Sequence, residues 1–219
     1  MKAAAAIPLR IVSRTAKWLL LLFFLAFTFF PLLWLVVSSF KTNLELMSSP
    51  FSLPRVGQVQ NYLNAFQLAD LHRLFLHSVA VSAACTVLNV LVAAMAGFAL
   101  SRVRFGLNGA ILSVILAGVL IPIIALMVPY FQLVSRLHLY DRLIGLILTY
   151  AAINLPVSVF LIHGFMSGIP RELEEAAVID GCSFAQRFGR IIFPLSRLGV
   201  VTAGTFVFLY SWNEFIYAL

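Results

Sequence analysis

The stretch "PRELEEAAVIDGCSFAQRFGRIIFP", Pro170 to Pro194, decides how the rest of the chain is read. Four of the eight acidic residues, Glu172, Glu174, Glu175 and Asp180, lie within nine positions of one another, between long runs of Leu, Val, Ile, Phe and Ala. Local signals make the stretch a helical hairpin. Pro170 suits the first position of a helix, where its missing N–H costs nothing. Glu172, Glu174 and Glu175 follow in the early turns, where the helix dipole favours negative charge. Gly181 is placed to end this helix in a left-handed conformation. Ser183 then caps a second helix, with Gln186 completing a capping box. Phe184, Phe188, Ile191 and Ile192 give that helix one apolar face, away from Arg187 and Arg190. Pro194 marks the break before the next apolar run.

The first of these helices carries apolar groups on two sides. Leu173, Ala176 and Ala177 share one, and Val178 and Ile179 lie roughly opposite. One side can pack on the chain's own helices. The other fits either a second protein, which small alanines would admit closely, or further packing within the chain. Periodicity alone leaves both open.

Working outward, the setting is a membrane. Of 219 residues, 62% are hydrophobic and 11% charged. Soluble domains run at about 45–50% and about 25%, and no soluble fold of this length hides so much apolar surface. The chain is an all-α polytopic membrane protein. Its net charge of +7 is therefore topological, and basic residues scattered at segment ends do not make a nucleic-acid groove. Five runs are long enough to cross a bilayer: Trp18–Phe40, Phe75–Leu100, Ala110–Val134, Leu143–Phe165 and Gly199–Leu219. The first is too long for a signal peptide's apolar region and is followed by Lys41 rather than a small-residue cleavage site.

Basic residues orient the spans. With the N-terminus cytoplasmic, ten fall inside: Lys2, Arg10, Arg14, Lys17, Arg102, Arg104, Arg171, Arg187, Arg190 and Arg197. Five fall outside: Lys41, Arg55, Arg73, Arg136 and Arg142. This places the acidic hairpin, about 166–198, in the cytoplasm. The chain divides into 1–74, with the first span and an external connector, and 75–219, with the other four. The connector opens as extended chain, then forms a short interfacial helix with Tyr62, Phe66 and Ala69 on one face.

Cys85 lies in an apolar run and Cys182 in the hairpin, so a disulfide between them is not expected. His72, His77, His138 and His163 lack metal-ligand spacing. No HExxH, GxSxG or paired intramembrane Asp points to an enzyme, and no catalytic or metal-ligating set is assigned. No GxxxxGK[ST] is present, so the chain has no P-loop for ATP. Polar groups inside spans are candidates for a pathway because lipid burial is costly: Asn89, Gln132, Tyr150, Asn154, Asn213 and Glu214. Pro122, Pro129 and Pro156 interrupt helix ladders, as tolerated beside protein or a water-filled cavity. Each polar group alone fits equally well as a hydrogen bond to a neighbouring helix.

The spacing E-A-A, three residues, Gly, nine residues, I-x-x-P resembles the EAA signature of type I ABC importer permeases. Glu175, Ala176, Ala177, Gly181, Ile191 and Pro194 match; Phe193 stands where Leu is usual and Cys182 where Ala is usual. Leu198-Gly199 replaces a usual proline region. "FPLLWLVVSSFKT", "NYLNAF", "IPRELEEAAVIDG" and "WNEF" look like the maltose-type carbohydrate permeases. The resemblance implies a transmembrane subunit importing a sugar or polyol. It implies a docking element at Glu174, Glu175, Ala176, Ala177, Asp180, Gly181 and Pro194 for an ATP-binding subunit dimer, which holds the ATP. It also implies a second, different permease chain, an extracytoplasmic solute-binding protein, and a bacterial or archaeal cell membrane. Permeases of this kind have six spans, so a sixth is expected to be missing here. Another small polar solute such as glycerol 3-phosphate is the alternative cargo. An ion-driven secondary transporter would want inverted repeats and more intramembrane charge.

Overall fold

The computed structural model describes residues 6–68, 70–103 and 105–218. Lys2, Ala69, Arg104 and Leu219, which carry parts of the reading above, lie outside the described residues. The described residues form helices and turns without strands, in two units, Met1–His72 and Arg73–Leu219.

In the first unit, α1 (Ala6–Ser39) is helical through Pro31. Its stretch Arg14–Ser39 is long and apolar enough to span a bilayer, about 39 Å at 1.5 Å per residue. The connector is more structured than extended chain. Thr42 caps α2 (Asn43–Ser48) in a capping box with Glu45. Lys41, read above as an external charge, is buried, and its Nζ donates to the carbonyls of Ser49 and Pro50 at 3.1 and 2.8 Å. The Trp34 indole donates to the same Pro50 oxygen at 2.9 Å. The short helix exists as α3 (Gln60–Leu68). It is tied to the end of α1 by Asn61 Nδ2, which donates to the carbonyls of Ser39 and Lys41, and by Tyr62 packing on Phe40.

The second unit opens two residues into α4 (Leu71–Arg102). The apolar run Ala110–Val134 does not form one rod. It becomes α5 (Asn108–Ala117), two 3-10 turns, and α6 (Met127–Arg136), with a bend of 96°. Pro122 causes the break: it cannot donate to the ladder, and it pushes Ile121 into extended backbone (ψ 120). Pro129 breaks nothing, because it sits in the first turn of α6, where an N–H has no helical acceptor. Pro156 lies inside α7 (Leu143–Ser167) without ending it.

After α7 come α8 (Glu172–Ile179), α9 (Phe184–Leu195) and α10 (Arg197–Asn213). Within α9, Arg187–Ile192 is a π-helical turn. The bend of 76° before α10 falls at Ser196, two residues beyond Pro194. Pro194 is accommodated where the ladder returns from π to α pairing. α10 ends at Asn213, so the last run stops being helical before the Leu219 proposed from hydropathy.

Helix association inside lipid gains little from hydrophobicity and depends on close packing of small residues. Ala93, Ala94 and Gly97 on α4 and Ala203 on α10 supply it, around Phe98, Val159, Ile162, Met166 and Ile192. A Cβ at Gly97 would come within 3.1 Å of the His163 backbone nitrogen, and one at Gly199 within 2.7 Å of the Phe165 ring. A second cluster at the other end of α7 holds Val81, Cys85, Tyr150, Ala151, Val207 and Tyr217. The two cysteines are free.

Candidate functional site

One carboxylate supplies the ion pairs that tie the acidic hairpin to the end of α4. Glu174 is 9% exposed. Its Oε1 accepts from Arg187 Nη1 at 2.7 Å, and its Oε2 lies 3.7 Å from Arg102 Nε. Arg102, the last residue of α4, is itself buried; its Nη2 donates to the carbonyls of Met166 and Ile169 at the end of α7, the latter at 2.9 Å. A guanidinium thus meets the carbonyls of the last turn of α7 and of a residue just beyond it, where basic side chains commonly bond helix-end carbonyls. Arg171 Nη2 donates to Ser101 O at 3.3 Å. Arg102, Arg171, Glu174, Glu175, Val178 and Arg187 line a small cavity of about 170 Å³.

This arrangement sets which side of α8 faces inward, and it differs from the apolar pattern. Glu174 and Ala177 are the buried pair, while Leu173 and Ala176 are exposed with Val178 and Ile179. Charge pairing turned the helix: Glu174 and Ala177 are i, i+3 neighbours, and burying the carboxylate between two arginines brings Ala177 with it. Glu175 and Asp180 are exposed. Pro170 falls just before the helix, which starts at Glu172.

The hairpin turn follows the local signals. Gly181 has φ +79. Its N–H donates to Val178 O at 3.0 Å, and the Cys182 N–H donates to Ala177 O at 2.9 Å, the pair of bonds that defines a Schellman end. The Ser183–Gln186 capping box is present. Phe98 of α4 receives Phe184 and Phe188, with ring centroids 4.9 and 5.1 Å away. Arg187 does not point clear of this packing. It bridges to Glu174 and lies 5.3 Å over the Phe184 ring.

At the opposite end of α7 the structure joins Tyr150 to Glu214, whose Oε2 accepts from the Tyr150 hydroxyl at 2.6 Å. Glu214 follows the last residue of α10 on extended backbone. Its Oε1 also accepts from the N–H groups of Ile216 and Tyr217 at 2.8 and 3.1 Å. The buried Tyr217 then donates from its hydroxyl to Ile123 O at 2.7 Å, in the break of the bent span, and packs edge-on against Tyr130. The other pathway candidates do not join them. Asn154 and Asn213 donate to carbonyls of their own helices, Tyr150 O and Leu209 O. Gln132 is exposed on α6. Asn89, deep in α4, donates to Ala151 O of α7 at 2.7 Å. Tyr130 and Tyr217, which hydropathy hides among apolar neighbours, line a cavity of about 330 Å³ with Phe131, Tyr140, Asp141 and Arg142. Among the described residues no group of His, Cys, Asp and Glu could hold a metal ion.

The profile of the family described as "Binding-protein-dependent transport system inner membrane component" matches residues 89–219. The sulfoquinovosyl glycerol transport system permease protein of Agrobacterium fabrum is 36% identical over 191 residues, 87% of this chain and 67% of its own length. The diacetylchitobiose uptake system permease protein NgcG of Streptomyces coelicolor is 38% identical over 186 residues, 85% of this chain and 62% of its own. A chain in the crystal structure of a bacterial ABC transporter that imports the acidic polysaccharide alginate shares the fold. The TM-score is 0.77 at 21% identity, covering 94% of this chain and 73% of that one. The chain belongs to the family of inner membrane components of binding-protein-dependent transport systems, the permeases of ABC transporters.

Proposed function

We propose that this chain is a permease subunit of an ABC importer that carries a carbohydrate or related polyol, driven by a separate ATP-binding subunit dimer through α8. The observation that carries the reading is the division of labour within α8. Glu174 and Ala177 hold the helix to the membrane helices, while Glu175, Ala176, Val178 and Ile179 remain outward. A short helix with apolar groups and a carboxylate left outward, rigidly ended by Gly181, has the form of an element built to be gripped. In this reading Glu174, Glu175, Ala176, Ala177, Asp180, Gly181 and Pro194 form the coupling segment, within a transmembrane domain of residues 75–219. The N-terminus and the hairpin face the cytoplasm. A second permease chain and an extracytoplasmic solute-binding protein complete the assembly.

The cargo class rests on the relatives' names and on chemistry. Tyr130, Phe131 and Tyr140 offer aromatic faces, and Asp141 and Arg142 offer hydrogen bonds, around a cavity of the size that holds small ligands, about 300–1,000 Å³. These are the groups that suit a ring with apolar faces and hydroxyl edges. Tyr150 and Glu214 stand beside the same Tyr217.

The test uses the assembled complex in vesicles. Cysteines at Val178 and Ile179 should crosslink to the ATP-binding subunit. Uptake of a labelled sugar should stop when that subunit's ATP hydrolysis is disabled and continue when ion gradients are collapsed. Uptake that follows the ion gradient, with neither cysteine crosslinking, would reject the proposal.

A further inference from the structure

Three segments distant in sequence meet at one carboxylate. Glu174 comes from α8. Arg187, at 2.7 Å, comes from α9, which continues through the bend at Ser196 into α10. Arg102, at 3.7 Å, is the end of α4 and grips the end of α7 through the carbonyls of Met166 and Ile169. The neighbouring Glu175 has none of these partners and is exposed. Among the described residues these are the only two ion pairs, and both use Glu174.

We infer that the Arg102–Glu174–Arg187 cluster is the linkage that delivers displacement of α8 to the membrane helices, with Glu174 as its positioning residue. It rests on the coupling role proposed above and assigns that role's transmission step to particular atoms. Apolar contacts around α8 can slide, because dispersion has little directionality. A carboxylate held between two guanidiniums resists displacement along both directions: its hydrogen bond to Arg187 is of the stronger, charge-assisted kind, and the Arg102 guanidinium adds an ion pair at 3.7 Å. Pulling α8 outward therefore pulls Arg102, and with it the ends of α4 and α7. It pulls Arg187 as well, and with it the start of α10.

The inference separates two glutamates that look alike in sequence. Neutralising Glu174 should uncouple, while the complex still assembles and hydrolyses ATP. The experiment compares the unmodified complex with Glu174→Gln, Arg187→Gln, the double variant and Glu174→Asp, in vesicles with ATP. It reads assembly, ATP hydrolysis and solute carried per ATP. Solute carried per ATP should fall about 3- to 30-fold in Glu174→Gln, the range that residues carrying coupling span. The double variant should be no worse than the single ones, because both break the same linkage. Glu174→Asp keeps the charge with a shorter reach and should recover part of the loss. Unchanged solute per ATP in Glu174→Gln overturns the inference, as do losses that simply multiply in the double variant. If Glu174→Gln does not assemble, Glu174→Asp decides. Assembly with reduced solute per ATP supports the linkage, whereas full coupling or failed assembly assigns the cluster to folding alone and overturns it. If the unmodified complex shows no ATP-dependent uptake, the proposed function fails instead.

Discussion

Gly181 tests the docking reading with the least ambiguity, because its environment isolates one physical effect. Its φ is +79, and a Cβ added there would meet nothing within 4 Å. Substitution therefore creates no clash. The cost is the backbone conformation alone, about 1–2 kcal/mol for a residue with a Cβ and more for a β-branched one. At 25 °C, 1–2 kcal/mol is a factor of about 5–30 in the population of the Schellman end. If the ATP-binding subunit grips α8 only in that form, its dissociation constant from the permease should rise by that factor in Gly181→Ala. The rise should be smaller in Gly181→Asn, since Asn tolerates the left-handed region, and larger in Gly181→Val. Titrating the ATP-binding subunit onto permease in lipid nanodiscs measures this directly. Gly164→Ala is the control: it also has open space around the added Cβ, lies within α7 and carries no left-handed φ. Equal affinity for Gly, Ala and Val at 181 would refute the argument. So would an order in which Asn binds worst.

Other tests address the rest of the molecule. Tyr150→Phe deletes the 2.6 Å bond to Glu214, and bonds to charged groups contribute about 1.5–3 kcal/mol. Solute uptake and the thermal midpoint of the solubilised protein should both fall, whereas Glu214→Gln, which still accepts a hydrogen bond, should lose less; full uptake in both variants would return the pair to packing. Gly199→Ala forces a Cβ to 2.7 Å from the Phe165 ring, an overpacking cost of about 1–3 kcal/mol. Phe165→Leu in the same chain should recover part of it, as read by thermal unfolding, and a neutral Gly199→Ala would disprove the close approach of α7 and α10. The Thr42 backbone N–H holds the Glu45 carboxylate below its usual 4.5, so the connector gains stability from the charged form. That gain is complete above the usual value and is lost as pH falls through the lowered one. Trp34 emission, in a Trp18→Phe/Trp212→Phe background, should shift in that acid range and should not do so in Glu45→Gln.

Features governed by a few neighbouring residues were legible in the sequence. Gly181 adopts φ +79 and Ser183 pairs with Gln186 as their spacing requires. The Thr42–Glu45 box was equally readable as T-x-x-E, but the proline- and glycine-containing connector around it drew the reading toward extended chain. Pro122 announced a break, while its angle of 96° depends on where α6 finds packing. What could not be read was partnership at long range. Glu172, Glu174 and Glu175 have the same propensity and the same helix dipole, and the arginine ending α4, with Arg187 of α9, selects Glu174. Tyr150 and Glu214 are separated by 64 positions, and nothing local in either segment pairs them. The apolar pattern of α8 misled for the same reason, since it weighed Leu173 and Ala176 without the charge that turned the helix.

The placement of these long-range partners follows from the solvent. Between the two ends of the second unit, α4, α7 and α10 meet through Ala93, Ala94, Gly97 and Ala203, with Asn89 to Ala151 O as a polar tie between α4 and α7. Small-residue contacts in lipid are close but weakly directional. They let helices keep their separation while shifting along or about one another. Directional bonds to charged groups are concentrated instead at the ends, Glu174 with its arginines at one and Glu214 with Tyr150 at the other. Water and protein dipoles reach charges there, and ionised groups are less costly. A helix bundle whose strongest directional contacts sit at its two ends has its stiffest points where other molecules can push or pull. In the coupling role proposed above, its middle would pass a displacement on as the movement of whole helices.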